Sequence, residues 1–314
     1  MKKVLSIDGG GIRGVLPASF LATVEDSLGE PVVDYFDLVV GTSTGGIIAL
    51  GLAAGLPAEQ ILDLYVRHGP SIFKGPRLPK GMRHWALGKY DDKGLRAALE
   101  DVFGSRRLGD SQTRVVVPSF NVDSGEVHIW KTAHHPRLER DYVEPIIEVA
   151  VATAAAPTIF PMHLTANGAP LIDGGVFANN PVGLAAVEAI AVLGWDSADI
   201  ALLSLGCGTE ALSVGHGRRR NLGRIYWASK LADTFMAAQS SSSLGTAQLL
   251  VGHGNVFRSS PTLPSGRYGL DVVKEIPSLR GLGDSAARTS LPELRRRFFD
   301  SKAEPFKPYR ELTA

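Results

Sequence analysis

The chain of 314 residues has a mass of 33.4 kDa and is 44% hydrophobic, enough for one large α/β core or two ordinary domains. Thirty-three Lys and Arg balance 32 Asp and Glu, and the resulting net charge of +1 gives no overall electrostatic footprint for nucleic acid, so DNA is not expected as a partner. Cys207 is the only cysteine, which excludes an intramolecular disulfide framework and fits a reducing compartment.

In chain order, KKVLSID is a short apolar run ended by glycines, and residues 15–28 carry apolar side chains at helical spacing; strand, glycine-rich loop and helix are predicted. The two N-terminal lysines imitate a signal peptide, but Asp8 and three glycines cut the apolar stretch short, so the chain is expected to stay in the cytoplasm. YFDLVV followed by residues 46–55 repeats the strand-to-helix arrangement, and 58–68 reads as another helix. Residues 38–58 contain no charge and approach the length of a membrane span. Gly41, Gly45, Gly46, Gly51 and Gly55 favour instead a buried strand, a sharp turn and a packed core helix.

Residues 71–90, with prolines, glycines and basic side chains around Phe73, Met82 and Trp85, are predicted as a surface loop. TRVVVPSFNVD and EVHIWKT read as paired strands around Asp123-Ser124-Gly125, after which 141–155 is helical up to Pro157. A strand at APLID, a turn at Gly174-Gly175, a helix from Pro181 to Leu193 and a strand at DIALLSLG follow. Beyond 209 the pattern weakens: GHGRRRN reads as a basic turn, 222–238 is amphipathic and QSSSSLGTAQ is polar. In SLPELRRRFF a serine cap, a proline at the first helical position and a basic end predict a final helix. This alternation predicts an α/β fold, a three-layer sandwich with a mainly parallel central sheet. A single domain over 1–314 is expected, with its core in about 1–210 and a C-terminal elaboration over 211–314.

Three segments carry chemistry, and a parallel sheet would bring them together beyond the C-terminal strand ends. The first is Gly41-Thr42-Ser43-Thr44-Gly45, a Gly-x-Ser-x-Gly turn between strand and helix. It suits a nucleophile because the strained corner exposes the Ser43 hydroxyl, the glycines remove clashing Cβ atoms, and the helix start adds partial positive charge. Taken alone, such a turn is as often structural. The second is the loop Gly9, Gly10, Gly11, Ile12, Arg13 and Gly14, whose backbone N–H groups can face an anion. No Gly-Lys-Ser/Thr closes a Walker loop, and no acidic residue completes a dinucleotide fingerprint, so beside a nucleophilic serine the loop reads as an oxyanion hole, with Arg13 as an added charge or a plain exposed residue. The third is Asp173 with Gly174 and Gly175, in isolation an ordinary turn.

A Ser-His-Asp enzyme of the α/β-hydrolase order requires a histidine after the acid. His68, His84, His128, His134, His135 and His163 all precede Asp173; only His216 and His253 follow, each in a Gly-His-Gly loop. No His-Glu-x-x-His or similar spacing indicates a metal.

DGGGIRG, GTSTG and DGG in this order, with APTIFPM, NNP and SLGCGT, resemble the patatin-like phospholipase family over about residues 1–210. The resemblance implies a Ser-Asp dyad without histidine, in which Ser43 is the nucleophile, Asp173 the base and the Gly9–Gly14 loop the oxyanion hole. It also implies hydrolysis of acyl esters of membrane phospholipids through an acyl-serine, with no cofactor and no metal. An ordinary Ser-His-Asp esterase and a non-catalytic storage or binding protein of the same fold are the alternatives. Peripheral contact with the inner membrane is expected, and Phe73, Met82 and Trp85 with Lys74, Arg77, Lys80 and Arg83 offer either a surface for it or a solvated loop with one buried tryptophan. The chain is further similar to phospholipase effectors of anti-phage systems switched on by cyclic oligonucleotides. That likeness implies a cyclic oligonucleotide activator and leaves room for a homo-oligomer; the basic clusters at 74–83 and Arg218-Arg219-Arg220 are either its phosphate sites or solvated faces.

Overall fold

A computed structural model describes residues 1–75, 88–210 and 224–312, the side chains of 224–230 and 232–233 excepted. Eight strands form the main sheet: β1 (Lys2–Ile7), β2 (Leu38–Gly41), β3 (Arg114–Asn121), β4 (Glu126–Lys131), β5 (His163–Leu164), β6 (Pro170–Asp173), β7 (Ile200–Leu205) and β9 (Val256–Ser259). A short parallel pair, β8 (Thr209–Glu210) and β10 (Thr262–Leu263), lies apart. The pairs β1 with β2, β1 with β7, β2 with β3 and β7 with β9 are parallel.

The strands read as near-continuous apolar runs because both sheet faces are covered. Alternate residues go to different cores: Leu5, Ile7, Val39, Val115 and Leu203 face one, Val4, Leu38, Val40, Val116 and Leu202 the other. The first core packs under helices Val15–Leu28, Thr44–Ala53, Lys93–Phe103, Ile146–Ala154 and Ile276–Arg297, and the second under Val182–Val187 and the end of Arg224–Val251. The expected three layers follow from this two-sided burial.

Several boundaries differ from the sequence expectation. The segment predicted helical over 58–68 is a helix over Ala58–Asp63 that widens into a π-helical turn over Leu64–His68. The helix expected over 141–155 covers Ile146–Ala154, with Pro145 as its N-cap. The final helix begins at Ile276, so Ser290 and Pro292 lie inside it and cap nothing. Tertiary contact explains the longer helix: it packs on Val15–Leu28 so closely that a Cβ at Gly283 would collide with the Leu16 carbonyl. The serine run 240–243 sits within a continuous helix, Arg224–Val251, where Ser240 and Ser243 hold the Asn180 turn.

The decisive departure concerns β6. It runs antiparallel to β3, in the register Ser119 with Asp173, whereas the three chemical segments were expected to meet through a parallel arrangement. β4 occupies one edge of β3 over Val116–Asn121, so β2, at residues 114–116, and β6, at 119–121, share the opposite edge. The two strands run toward each other, and their C-terminal ends meet.

Candidate active site

Ser43, separated from the end of β2 by Thr42 alone, caps the helix Thr44–Ala53, with φ 54° and ψ −122°. This left-handed backbone is rare for a residue with a side chain and is kept only where the surroundings over-determine it. Those surroundings are visible. A Cβ at Gly41 would strike the Gly45 carbonyl, and one at Gly45 would strike the carbonyls of Ile7 and Asp8. The Ser43 N–H donates to Thr153 Oγ1 at 3.0 Å, and the Thr153 hydroxyl donates to the Pro118 carbonyl at 2.6 Å. On either side, Thr42 donates to the Ala178 carbonyl at 2.6 Å, and Thr44 bonds the buried Tyr65 hydroxyl at 2.7 Å.

Asp173 arrives from the end of β6 and accepts the Ser43 hydroxyl on Oδ2 at 2.6 Å. Its Oδ1 accepts the Gly175 N–H at 2.6 Å, so the turn fixes the carboxylate's orientation. Gly174 sits where a Cβ would run into the Pro118 carbonyl. Burial pushes the Asp173 carboxyl up from 3.8 to about 6, against the opposing pull of the bonds from Ser43 and Gly175. A carboxyl that titrates there is a far better proton acceptor than a free aspartate, yet it remains ionised at neutral pH.

The glycine loop divides its roles. The Gly9 N–H donates to the Asn179 carbonyl at 2.9 Å, that of Ile12 to the Leu270 carbonyl at 2.8 Å, and that of Arg13 to the Gly10 carbonyl at 3.1 Å. Gly10 and Gly11 line the same cavity as Ser43, and their N–H groups meet no backbone acceptor among the described residues. Gly11 has φ +56°, and a Cβ there would collide with the Leu270 carbonyl. The Arg13 guanidinium does not line the cavity; it lies 3.7 Å from Glu210. Gly14 gives way to the Thr44 side chain.

The loop is anchored from below by Asp8. Its buried carboxylate takes a two-pronged ion pair from Arg258, Nη1 to Oδ1 at 3.1 Å and Nη2 to Oδ2 at 2.6 Å, and Arg258 also donates to Ser204 Oγ at 2.6 Å. Arg258 comes from β9, far along the chain, and no local pattern announces it. Thr153 was likewise missed, since a threonine inside an apolar helix carries no signal of its own.

Above Ser43 and Asp173 lies a cavity of about 830 Å³. Ile47, Leu64, Ile72, Phe73, Phe160 and Leu270 give it mainly apolar walls. Phe73 therefore faces inward, with its ring against Tyr90 and Phe160 at 5.6 and 5.9 Å, rather than outward toward a membrane as expected. Lys74 is exposed, and Arg77, Lys80, Met82, Arg83, Trp85 and Arg218–Arg220 lie outside the described residues.

No imidazole of the described histidines lines the cavity. His134 is bonded to Glu188 at 2.9 Å, His163 lies 3.6 Å from Glu148, His128 packs edge-on against Trp130, and His253 is exposed in a turn after Val251. His84 and His216 lie outside the described residues.

Comparisons with known proteins place the chain among relatives of one kind. The profile described as patatin-like phospholipase matches residues 5–186. A cGAMP-activated phospholipase of Pseudomonas aeruginosa is 38% identical over 297 residues, covering 92% of this chain and 88% of the relative. One of Vibrio cholerae with the same name is 32% identical over 317 residues, covering 91% and 88%. The rice patatin-like protein 2 is 35% identical over 219 residues, 58% of this chain and 51% of that protein. With its elbow serine, its paired aspartate and its glycine loop all inside the matched span, the chain belongs to the patatin-like phospholipase family.

Proposed function

We propose that the chain is a lipid acyl hydrolase that works by a Ser43-Asp173 dyad. The observation that carries this reading is the 2.6 Å bond from the Ser43 hydroxyl to a buried carboxylate that titrates near 6. As Ser43 Oγ attacks the ester carbonyl, its proton passes to Asp173 Oδ2, and charge grows on the ester oxygen. The N–H groups of Gly10 and Gly11, with the positive end of the helix Thr44–Ala53, stabilise that charge beside the buried Ser43 and Asp173. Asp173 then returns the proton to the leaving alcohol, which departs and leaves an acyl-Ser43; water, deprotonated by Asp173, attacks the acyl carbonyl, and Asp173 passes that proton to Ser43 Oγ as the fatty acid leaves.

Lipid enters at the cavity mouth, where Val176 and Phe235 are 52% and 65% exposed, an apolar rim suited to the surface of a phospholipid bilayer. Among the described residues no helix is long and apolar enough to cross a membrane, so the proposed contact is peripheral. Two relatives matching nine-tenths of the chain are named for activation by cGAMP, which supports a cyclic dinucleotide as the switch of this chain also.

The test is covalent labelling by a fluorophosphonate together with turnover of mixed phospholipids, with and without cGAMP and a panel of other cyclic dinucleotides. Labelling lost in Ser43→Ala and turnover lost in Asp173→Asn, with His216→Ala and His253→Ala active, is the expected result. Loss of turnover in a folded histidine variant would replace the dyad by a triad. Indifference to the whole panel would make this a constitutive lipase.

A further inference from the structure

The wall of the cavity and the glycine loop are joined by a second set of contacts outside the dyad. Leu270 holds the loop: its carbonyl accepts the Ile12 N–H at 2.8 Å and sits where a Cβ on Gly11 would be. The next residue, Asp271, places one carboxylate oxygen, Oδ2, between the Lys89 ammonium and the Tyr90 hydroxyl, the latter at 2.8 Å. Burial alone would raise the Asp271 carboxyl, but the bonds from Lys89 and Tyr90 bring it below its ordinary range.

Lys89 and Tyr90 in turn grip the wall. Their backbone N–H groups donate to the carbonyls of Thr158 and Ile159, both at 2.9 Å. Thr158, a β-branched residue at φ 71°, stands in a strained conformation that needs such support. The Tyr90 ring completes a cluster with Phe73 and Phe160, which line the cavity, at 5.6 and 6.1 Å. A continuous path therefore runs from the apolar wall through Tyr90, Asp271 and the Leu270 carbonyl to the amides of the glycine loop.

We propose that Tyr90 and Asp271 are positioning residues, a clasp through which an acyl chain filling the cavity seats the Gly10 and Gly11 amides for the reaction. This rests on the reading of the cavity as an acyl site above Ser43. The physical logic is that contacts remote from the reacting ester raise turnover only when their energy is delivered to the transition state; otherwise they merely tighten binding. With the clasp intact, longer acyl chains raise kcat. Without it, the same contacts appear in KM.

The experiment compares soluble nitrophenyl butyrate and decanoate esters on wild type, Tyr90→Phe and Asp271→Asn, with Ser43→Ala alongside. Tyr90→Phe removes one hydroxyl and keeps the ring packing, so folding is preserved, and thermal melts check it. The expected result is a kcat on decanoate about tenfold lower in both variants, a fraction of the 10²–10³ carried by a whole oxyanion donor. The butyrate kcat changes by less than about twofold, because the shorter chain makes less of the wall contact to begin with. A dependence of kcat on chain length that is the same in both folded variants as in wild type overturns the clasp while Ser43→Ala remains inactive. Turnover persisting in Ser43→Ala removes the catalytic assignment, and this inference with it.

Discussion

Replacing Asp173 by Asn isolates the physical tension of the dyad. In the proposed dyad the base gains its strength from burial, and burying a charge destabilises the fold. A carboxyl moved from 3.8 to about 6 by desolvation carries a penalty of about 3 kcal/mol when ionised, at 1.36 kcal/mol per pH unit. The sign follows from the raised value. Wild type is relatively most stable below the unfolded value near 3.8, loses stability as pH rises toward 6, and bears a constant penalty above it. Asparagine keeps the oxygen that accepts the Gly175 N–H and can donate to Ser43 Oγ, while carrying no charge. Asp173→Asn should therefore be inactive and more stable at pH 8, by up to about 3 kcal/mol, or about 4–5 °C in Tm for a cooperative chain of this size. The same linkage shrinks the gap to about 1 kcal/mol at pH 4.5. Thermal melts at the two pH values, run beside ester turnover, decide the matter. Equal melting temperatures at pH 8 would show a solvated carboxylate and refute the reasoning, as would residual turnover near the wild-type rate.

The same ionisation sets the pH profile: kcat/KM should rise about tenfold per unit below pH 6 and level off above it, and a flat profile between 5 and 7 in steady-state assays would exclude Asp173 as the base. Arg258→Met leaves the Asp8 carboxylate buried without its partner and should cost about 3–5 kcal/mol in urea unfolding at pH 8, with turnover falling as the glycine loop loosens. Thr153→Val keeps shape but strands the Ser43 N–H and the Pro118 carbonyl; a loss on the order of 3 kcal/mol is expected, and fluorophosphonate labelling should slow in the folded fraction.

Much of the site was legible because its parts are local. A strand ending in Gly-x-Ser-x-Gly announces a strained serine, since only glycines fit where the Gly41, Gly45 and Ile7 backbones crowd. A glycine run before a helix announces amides able to face an anion, whereas an Asp before two glycines reads by itself as an ordinary turn and gains meaning only beside the other two segments. Which of the loop's amides remain free was not legible. Gly9, Ile12 and Arg13 are engaged by Asn179, Leu270 and Gly10, and two of those three acceptors lie far away in sequence.

The tight turns and the two-sided apolar strands are written in the amino-acid order alone, because each depends on φ and ψ and on burial within a few residues. Three-dimensional packing decided that β6 runs antiparallel and meets β2 head to head on one edge of β3, which brings Asp173 to Ser43. It also decided that Arg258 locks Asp8 and that Phe73 turns into the cavity. Strand direction and long-range ion pairs arise from competition among distant segments for the same edges and the same buried space, and that competition leaves no mark in any single stretch of the chain.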